Sequence, residues 1–458
     1  MPRLAAGIVA LVALATPASA ATKLAPSEIP AAVDAILAEA MARPGAAGMQ
    51  VAVALGDDLV VEKGYGLAEV ELRVPVSVES VFRIGSVTKQ FTAAAVMKLV
   101  EEGRIELDAP FAKYYPDFPT AEHTVTVRHL LTHTSGIKSY TGLGPKWRRT
   151  VPLELTHDEL LDLVRDEPFD FAPEERFLYN NTGYYLLGVL IEKVSGKPYD
   201  QYLREDLLLG LYLPRTRYGS NHQIIEGRAE GYRLVDGELQ NDEAIGMSQP
   251  GAAGALVSTA SELVRWQRAL VAGKVVSAES YRQMTTPHVL ADGKATGYGF
   301  GLAVSALGEH RRVGHGGGIN GFNSMLAYYP DGELSVAVLS NSEAIGSGKV
   351  AEAIARAVLG VETKVEDLEV SAAEIARLAG TYHLEGTPLD MRVWGEGERM
   401  FTQATGQGES RLLSQGNGEF RADFDNEVRL AFEPGAPAPA FTLYQGGAQV
   451  RAVRKEAP

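Results

Sequence analysis

A serine and a lysine three residues apart are the first residues of this sequence whose types and spacing fit a chemical step. Ser86 and Lys89 form an S-x-x-K pattern where the apolar residues take up a helical period. Residues three apart share one helix face, so the Lys89 amine can reach the Ser86 hydroxyl. A lysine whose pKa is held down can take the serine proton, and a helix N-terminus offers N–H groups to an oxyanion. The pair predicts a nucleophilic serine with a lysine as its base.

A second S-x-x-K pattern shows that this spacing alone is a weak indicator. It runs from Ser135 to Lys138 and contains Gly136 in a Thr-Ser-Gly turn, which makes a poor helix. Further motifs must therefore decide between the two copies.

Tyr179 and Asn181 supply the first of these further motifs. They form the one Tyr-x-Asn of the chain, directly before a helix predicted over residues 182–194. A tyrosine near a lysine can relay a proton. The alternative interpretation is a tyrosine packed at a helix cap, with Asn181 as the N-cap residue.

The second of these further motifs is a glycine-rich segment that follows a histidine. His315 and Gly317 form the one His-x-Gly of the chain, ahead of an apparent strand. Glycines at such a point let a substrate approach the backbone closely, so that main-chain N–H groups can bind it. The segment therefore predicts a stretch of backbone that binds substrate.

The elements that must position these residues follow from apolar periodicity. Helices are predicted over residues 28–42, from Ser86 to about 102, and over 349–359, with a mostly helical region between 104 and 285. The segments predicted as strands are residues 49–55, 59–66, 299–304, 324–329 and 334–339. Strands at both ends with helices between them predict an α/β domain whose first and last strands share an antiparallel sheet.

Four segments, in this order, resemble the penicillin-recognising serine hydrolases of the class C β-lactamase type. They are residues 82–89 (FRIGSVTK), 130–136 (LLTHTSG), 179–184 (YNNTGY) and 314–318 (GHGGG). The resemblance covers residues 28–360 and implies a β-lactamase/transpeptidase-like fold, with an antiparallel sheet flanked by helices and a mostly helical subdomain.

The resemblance also implies residue roles in an acyl-enzyme mechanism. Ser86 is then the nucleophile, Lys89 and Tyr179 share the acid/base work, and Asn181 orients Lys89 and the substrate amide. The backbone N–H groups of Ser86 and, by its position after His-x-Gly, Gly318 then form the oxyanion hole. His315 and Gly317 belong to the substrate-binding segment, and neither a metal nor an organic cofactor is implied.

The His-x-Gly motif at residues 315–317, the third of the motifs after S-x-x-K and Tyr-x-Asn, departs from one branch of that family. Class C β-lactamases and many D-Ala-D-Ala peptidases carry Lys-Thr-Gly or Lys-Ser-Gly there, where the cation and hydroxyl help to hold a substrate carboxylate. Here His315 supplies a cation only if it is protonated, and no hydroxyl follows it. The histidine form resembles D-stereospecific aminopeptidases, other exported peptidases and some esterases. We therefore expect β-lactamase activity at most as a side activity.

The two ends of the chain carry their own signals. Arg3, an apolar run over residues 4–15 and the ending Ala-Ser-Ala at 18–20 predict a cleaved signal peptide, residues 1–20, and a periplasmic or secreted protein. The run is shorter than the roughly 18 apolar residues of a membrane anchor. Alternating segments predict a small all-β domain over residues 368–458, and Gly-Thr-Tyr at 380–382 resembles the start of lipocalin-like C-terminal domains of some of these peptidases. The hydrolase domain is expected over residues 21–362.

Composition excludes several other classes of protein. The 458 residues contain no cysteine, so disulfides and a cysteine nucleophile are excluded. A formal net charge of −15 without a basic patch argues against a nucleic-acid partner. His129 and His133 have a zinc-like spacing but lack the accompanying glutamate, so structural hydrogen bonds are the preferred interpretation. A G-x-G-x-x-G match at 316–321 precedes a predicted strand rather than a helix, which argues against a dinucleotide.

The sequence thus predicts an exported serine hydrolase that cleaves an amide or ester of a small substrate, with peptidase-type activity of the D-aminopeptidase or carboxypeptidase kind preferred. The alternatives are a short-chain esterase or weak β-lactamase on the same site, and a non-catalytic scaffold or binding protein of the same fold. Substrate contacts are also predicted for Tyr140, Trp147 and Tyr232. The substrate itself, the role of the last domain and the oligomeric state are not predicted.

Overall fold

The computed structural model describes residues 23–120, 122–361, 367–387, 389–405, 408–423, 425–445 and 448–455. The predicted signal peptide, residues 1–20, lies outside this part of the chain. Within it, no helix is both long enough and apolar enough to span a bilayer.

The secondary structure changes character along the chain. The helices are α1 (Ile29–Met41), α2 (Thr88–Glu101), α3 (Val127–Leu131), α4 (Pro145–Arg148), α5 (His157–Leu161), α6 (Asn181–Ser195), α7 (Tyr199–Tyr202), α8 (Gly251–Gly254), α9 (Ala260–Val271), α10 (Ala278–Met284), α11 (Ser347–Leu359) and α12 (Ala372–Leu378). The strands up to the last long helix are β1 (Gly48–Leu55), β2 (Asp58–Glu69), β3 (Val74–Pro75), β4 (Phe82–Arg83), β5 (Arg217–Tyr218), β6 (Tyr232–Val235), β7 (Glu238–Asn241), β8 (Leu256–Ser258), β9 (Ala303–Leu307), β10 (His310–Ile319), β11 (Phe322–Tyr329) and β12 (Leu334–Ser340). The remaining strands are β13 (Gly380–Leu384), β14 (Asp390–Glu396), β15 (Arg399–Ala404), β16 (Glu409–Gly416), β17 (Glu419–Ala422), β18 (Asp425–Phe432), β19 (Ala440–Gln445) and β20 (Ala448–Arg454).

A seven-stranded antiparallel sheet organises the larger unit, in the order β3-β2-β1-β12-β11-β10-β9. β1 pairs with β12, with Val51 opposite Val338. The first and last long strands therefore share one sheet, as predicted. Side chains alternate between the two faces of a strand, so Val51 and Val53 pack towards α1 and α11 while Ala52 and Ala54 face the larger core on the other side.

Helix α2 lies at the centre of that larger core. From Thr88 to Met97 every residue is buried, although Lys89, Gln90 and the threonines are polar. A helix surrounded on all sides must satisfy its polar groups internally, and Thr92 does so by donating to the Ala252 carbonyl of α8 at 2.6 Å. A buried lysine on such a helix is consequently held by specific partners.

One predicted strand is wrong in its position. The segment 299–304 was expected to be extended, but the strand there, β9, begins at Ala303. The physical reason is Gly301, which has a φ of +68° and whose Cβ, if it had one, would lie 2.5 Å from the Lys89 carbonyl oxygen. The chain bends at this glycine to pass the backbone of α2 closely, and only then joins the sheet.

The C-terminal strands β13 to β20 close into an antiparallel barrel of eight strands. Tyr382, Phe420 and Phe441 lie at the centre of its own hydrophobic core. The predicted small all-β domain is therefore a barrel, and it begins with the Gly-Thr-Tyr segment as expected. Residues 362–366, at the predicted domain boundary, lie outside the described residues.

Candidate active site

Ser86 lies in a single 3₁₀ turn, residues Gly85–Val87, that leads directly into α2. Gly85 adopts a φ of +48°, a conformation that glycine reaches without strain. As the sequence predicts, the turn places Ser86 at the N-terminal end of the helix. The residue is half-buried there. Its backbone groups are thereby close to the positive end of the helix dipole.

Lys89 lies one turn further along and is completely buried. Its Nζ is 3.2 Å from Ser86 Oγ, 2.8 Å from Asn181 Oδ1 and 2.8 Å from the Ala253 carbonyl oxygen. Burial lowers the pKa of Lys89 well below its usual value of 10.5. A neutral amine has two N–H donors and one lone pair, so two acceptors satisfy it and the lone pair is left for Ser86.

Asn181 is the first residue of α6 and connects this helix to the lysine. Its Oδ1 accepts from Lys89, and its Nδ2 donates to Thr141 Oγ1 at 3.2 Å. The N-cap residue is Asn180, whose Oδ1 accepts from the Gly183 N–H at 2.9 Å. The alternative interpretation of Asn181 as the N-cap is therefore wrong, and its side chain is free to face Lys89.

Tyr179 completes the group around the serine. The Lys89 Nζ lies 4.7 Å from the centroid of its ring. Burial of the hydroxyl end raises the pKa of Tyr179, and its hydrogen bond with Ser86 works in the opposite direction. Because 37% of the residue remains exposed, it lies at the surface beside Ser86 rather than in the core. The phenol is neutral and in contact with Ser86, the predicted nucleophile.

His133 contacts the segment that carries Tyr179 through a hydrogen bond and a ring contact. It has a φ of +60°, and its Nδ1 accepts from the Asn180 N–H at 3.0 Å. Its ring centroid is 4.4 Å from that of Tyr179. His129 instead accepts from the Thr126 N–H through its own Nδ1 and forms part of the cap of α3. Both histidines thus make structural hydrogen bonds, as the sequence interpretation preferred.

His315 is placed beside the site by β10 and is neutral. Its Nε2 lies 2.9 Å from the Tyr298 hydroxyl and its Nδ1 lies 2.5 Å from the Gly316 carbonyl oxygen. The carbonyl can only accept, so Nδ1 carries the proton and Nε2 accepts from Tyr298. Burial, with a further contribution from Lys89, lowers the pKa of His315 to about 3. The third motif therefore supplies no cation at neutral pH.

Two adjacent glycines bring β10 close to the serine turn. A Cβ on Gly317 would lie 2.1 Å from the Ile84 carbonyl oxygen, so only glycine permits this approach. A Cβ on Gly318 would meet no atom within 4 Å, which places this residue at open space. β9 accompanies β10 only as far as Gly314, and the Gly318 backbone lies beside Gly85. Ser86 and Gly318 are therefore neighbours across the cleft.

A cavity of about 180 Å³ opens beside these groups. Ser86, Asn181 and Gly318 line one end, and its other walls include Tyr140, Thr141, Trp147, Ile245, Ile319 and Asn320. Tyr140 and Trp147 are thus placed at the site, but Tyr232 is not among the residues that line it. The Tyr232 hydroxyl donates to Glu71 at 2.5 Å and accepts from the Val70 N–H at 2.7 Å, in a separate polar cluster.

Sequence reasoning missed three groups that hold the site together. The Ala253 carbonyl accepts from Lys89, the Tyr298 hydroxyl fixes His315, and Gln249 anchors the ring of Trp147. None of them lies within a recognisable motif. Only the tertiary contacts of the folded chain identify them.

The chain is similar to known proteins both in sequence and in fold. The sequence profile described as Beta-lactamase matches residues 33–360. A penicillin-binding protein of Bacillus subtilis is 29% identical over 434 residues, which cover 88% of this chain and 94% of that protein. The octameric penicillin-binding protein homologue of Pyrococcus abyssi superposes with a TM-score of 0.67 and 27% identity, covering 92% of this chain and 99% of the other. The D-amino acid amidase of Ochrobactrum anthropi, solved with L-phenylalanine amide, gives 0.64 and 27%, covering 72% and 98%. The predicted β-lactamase/transpeptidase-like fold with a C-terminal barrel is confirmed.

Proposed function

Because the chain belongs to the Beta-lactamase family and is a serine hydrolase of that family, we propose that it cleaves an amide bond through an acyl-Ser86 intermediate. The observation that carries the proposal is the position of Lys89, buried and 3.2 Å from Ser86 Oγ, with two other acceptors for its N–H groups. This arrangement suits a neutral amine that receives a proton.

Acylation begins with transfer of the Ser86 proton to the lone pair of Lys89 as Oγ attacks the substrate carbonyl. The resulting ammonium has three donors for three nearby acceptors, Ser86 Oγ, Asn181 Oδ1 and the Ala253 carbonyl, so no side chain needs to move. The negative charge on the carbonyl oxygen is stabilised by the backbone N–H groups of Ser86 and Gly318. Each such donor typically contributes about 10²–10³-fold in rate.

Collapse of the tetrahedral intermediate requires a proton on the leaving nitrogen. Tyr179 is neutral and in contact with Ser86, so its hydroxyl donates that proton and is reprotonated from Lys89. Hydrolysis of the acyl-enzyme then uses the same proton transfers in the opposite order, with water in place of the leaving amine. A water gives its proton through the same pair, attacks the ester carbonyl, and Ser86 Oγ leaves as the hydroxyl.

Two observations favour peptidase-type or amidase activity over β-lactamase activity. His315 is neutral, so the cation that holds a substrate carboxylate in the lysine form of the motif is missing at this position. The relative from Ochrobactrum anthropi is described as a D-amino acid amidase. An ester remains an intrinsically easier substrate for the same groups, so amide and ester activity must be measured side by side.

Export to the periplasm or the medium is part of the proposal. It is supported by Arg3, the apolar run over residues 4–15 and the Ala-Ser-Ala ending at 18–20. N-terminal sequencing of the protein from the periplasmic and extracellular fractions should begin at Ala21. An intact N-terminus in a membrane-bound or internal fraction contradicts export.

The catalytic proposal is tested with a fluorophosphonate probe and an aminoacyl p-nitroanilide. Labelling and turnover should both be lost in Ser86→Ala, and turnover should fall about 10²–10⁴-fold in Lys89→Ala. Ser135→Ala is the matched control, because Ser135 begins the second S-x-x-K pattern and its Oγ accepts from the Ile137 N–H, away from Lys89. Retained turnover in Ser86→Ala, or labelling lost in Ser135→Ala, contradicts the assignment. Comparison with p-nitrophenyl acetate separates a peptidase from a short-chain esterase.

A further inference from the structure

The cavity beside Ser86 differs from most of the protein surface in its charge. Among the described residues that line it, none has an Asp, Glu, Lys or Arg side chain. Its polar side chains are Ser86, Thr141, Asn181 and Asn320, besides the aromatic Tyr140 and Trp147. We infer that this cavity is a subsite for an uncharged, apolar group of ring or branched-chain size in the acyl part of the substrate. The inference rests on the proposed function and specifies its substrate.

The two aromatic walls present carbon rather than hydrogen-bonding groups to the cavity. Trp147 Nε1 donates to Gln249 Oε1 at 3.2 Å, and the Tyr140 hydroxyl donates to the Gln249 carbonyl at 2.8 Å. Gln249 is fully buried, and its Nε2 donates to the carbonyls of Thr150 and Leu153. One fixed glutamine thus satisfies both polar atoms of the rings. The faces that remain suit an apolar ligand.

Aliphatic residues complete the opposite wall. Ile245 is 4% exposed and packs with Met247 and Ala255, and Ile319 packs partly buried against the same cluster. The wall is therefore backed by packed hydrophobic residues rather than by solvent. Two isoleucine side chains on a packed hydrophobic cluster disfavour a charged ligand group.

Lys89 does not line the cavity: it is buried, its Nζ contacts Ser86, Asn181 and the Ala253 carbonyl, and burial lowers its pKa, which favours the neutral amine. The other charged groups near the cavity are directed elsewhere. Arg148 and Arg149 follow Trp147 but are exposed and do not line the cavity. Glu243 approaches through its carbonyl oxygen, which accepts from Asn320 Nδ2 at 3.0 Å. Its carboxylate pairs with Arg233 at 2.7 Å. An ammonium or a carboxylate that entered the cavity would therefore lose hydration without gaining an ion pair, which is unfavourable.

The volume of the cavity fits one such group. A space of about 180 Å³ corresponds to roughly six water molecules at their liquid volume. It is smaller than the ~300–1,000 Å³ of sites for drug-sized ligands. A phenyl ring or a branched aliphatic chain fills such a space, whereas a long peptide does not.

A matched series of p-nitrophenyl esters tests the inference on the whole protein. The acyl groups are 4-methylbenzoate (neutral), 4-carboxybenzoate (anionic) and 4-(aminomethyl)benzoate (cationic), which share one leaving group and one para-substituted ring. Each kcat/KM is divided by the rate of alkaline hydrolysis of the same ester. The neutral ester should exceed both charged esters by about tenfold or more. A charged ester that is hydrolysed as fast as the neutral one overturns the inference.

Substitutions of Asn320 provide opposite changes at one position of the cavity wall. Asn320→Asp should raise kcat/KM for the cationic ester relative to the neutral one, and Asn320→Lys should do the same for the anionic ester, each by about fivefold or more. A melting curve of each variant checks that it folds. If both substitutions leave the ratios of kcat/KM between the charged and neutral esters unchanged, the inference is wrong.

The fluorophosphonate probe separates this inference from the proposed function. Labelling of Ser86 without turnover of the 4-methylbenzoate ester overturns the apolar subsite and leaves the acyl-serine mechanism standing. Loss of both labelling and turnover in the wild-type protein contradicts the mechanism itself. Turnover of the neutral ester with preference over both charged esters supports the two together.

Discussion

Replacing Gly317 by alanine should disable the site without touching any of the acid/base residues. The added Cβ would lie 2.1 Å from the Ile84 carbonyl oxygen and 2.3 Å from Ser324 Oγ. Contacts below 3.0 Å are not tolerated, so β10 and the turn carrying Ser86 must separate by about 1 Å. The same movement disrupts the hydrogen bond that Ser324 Oγ donates to Ile84, now 2.7 Å long.

The expected loss follows from the proposed position of the oxyanion between Ser86 and Gly318. A misplacement of about 1 Å at a catalytic centre, or the loss of one oxyanion donor, typically costs about 10²–10³-fold in kcat. Overpacking of a tight contact destabilises by about 1–3 kcal/mol. Gly317→Ala should therefore show a lower Tm and a kcat reduced about 100-fold or more. The pH dependence of kcat/KM should not move, because Lys89 and Tyr179 keep their surroundings.

Gly318→Ala is the matched control, since its Cβ would meet nothing within 4 Å. Its Tm should stay near that of the wild type, and its loss of kcat should be at least tenfold smaller than that of Gly317→Ala. The measurements are kcat and KM with a p-nitrophenyl ester, the active fraction by fluorophosphonate titration, and a thermal melt. A Gly317→Ala enzyme with kcat within threefold of the wild type would refute the reasoning, as would equal losses in the two variants.

The value of kcat/KM should rise with pH along a limb whose pKa lies well below 10.5, because burial lowers the pKa of Lys89 and only the neutral amine takes the Ser86 proton. A limb near 10.5 in the pH–rate profile contradicts this. The folded-state pKa of His315 is about 3 and its unfolded value is 6.5, so the unfolded chain binds more protons between these values. As the pH falls from 6.5 towards 3, this group should reduce stability by about 1.4 kcal/mol per pH unit. His315→Phe should flatten Tm against pH in that window, and an unchanged curve contradicts it. His133→Asn should retain more activity than His133→Ala, by about tenfold, because asparagine tolerates a φ of +60° and can accept from the Asn180 N–H; equal kcat values in the two variants contradict this role.

The sequence could predict those parts of the site that depend on local spacing. Ser86 and Lys89 come together because a helix places residues three apart on one face, and Tyr179 and Asn181 lie at a helix start that apolar periodicity reveals. The preference for the first S-x-x-K pattern also rests on local residues, because Gly136 disfavours a helix in the second, and residues 135–138 are not helical. Each of these predictions depends on residues that lie within one or two helical turns of one another.

The rest of the site depends on contacts between distant parts of the chain. The Ala253 carbonyl is a backbone atom, and nothing in its side chain signals that a lysine 164 residues away will donate to it. Tyr298 contacts His315 Nε2 although it lies 17 residues earlier in the chain, three residues before the bend at Gly301. That bend displaced the predicted strand at 299–304, because the steric requirement comes from the α2 backbone and not from neighbouring residues.

The nucleophile and its proposed oxyanion partner belong to different layers of the molecule. Ser86 enters from the helical side at the start of α2, whereas Gly318 belongs to β10 of the seven-stranded sheet. The proposed proton transfer, by contrast, involves only Ser86, Lys89 and Tyr179, which lie on the helical side. Slippage of the sheet past the helices would therefore slow the formation of the tetrahedral adduct while leaving the titration of the enzyme unaltered. In a variant whose sheet has shifted relative to the helices, we expect unchanged binding of the fluorophosphonate probe but a lower rate constant for its reaction with Ser86.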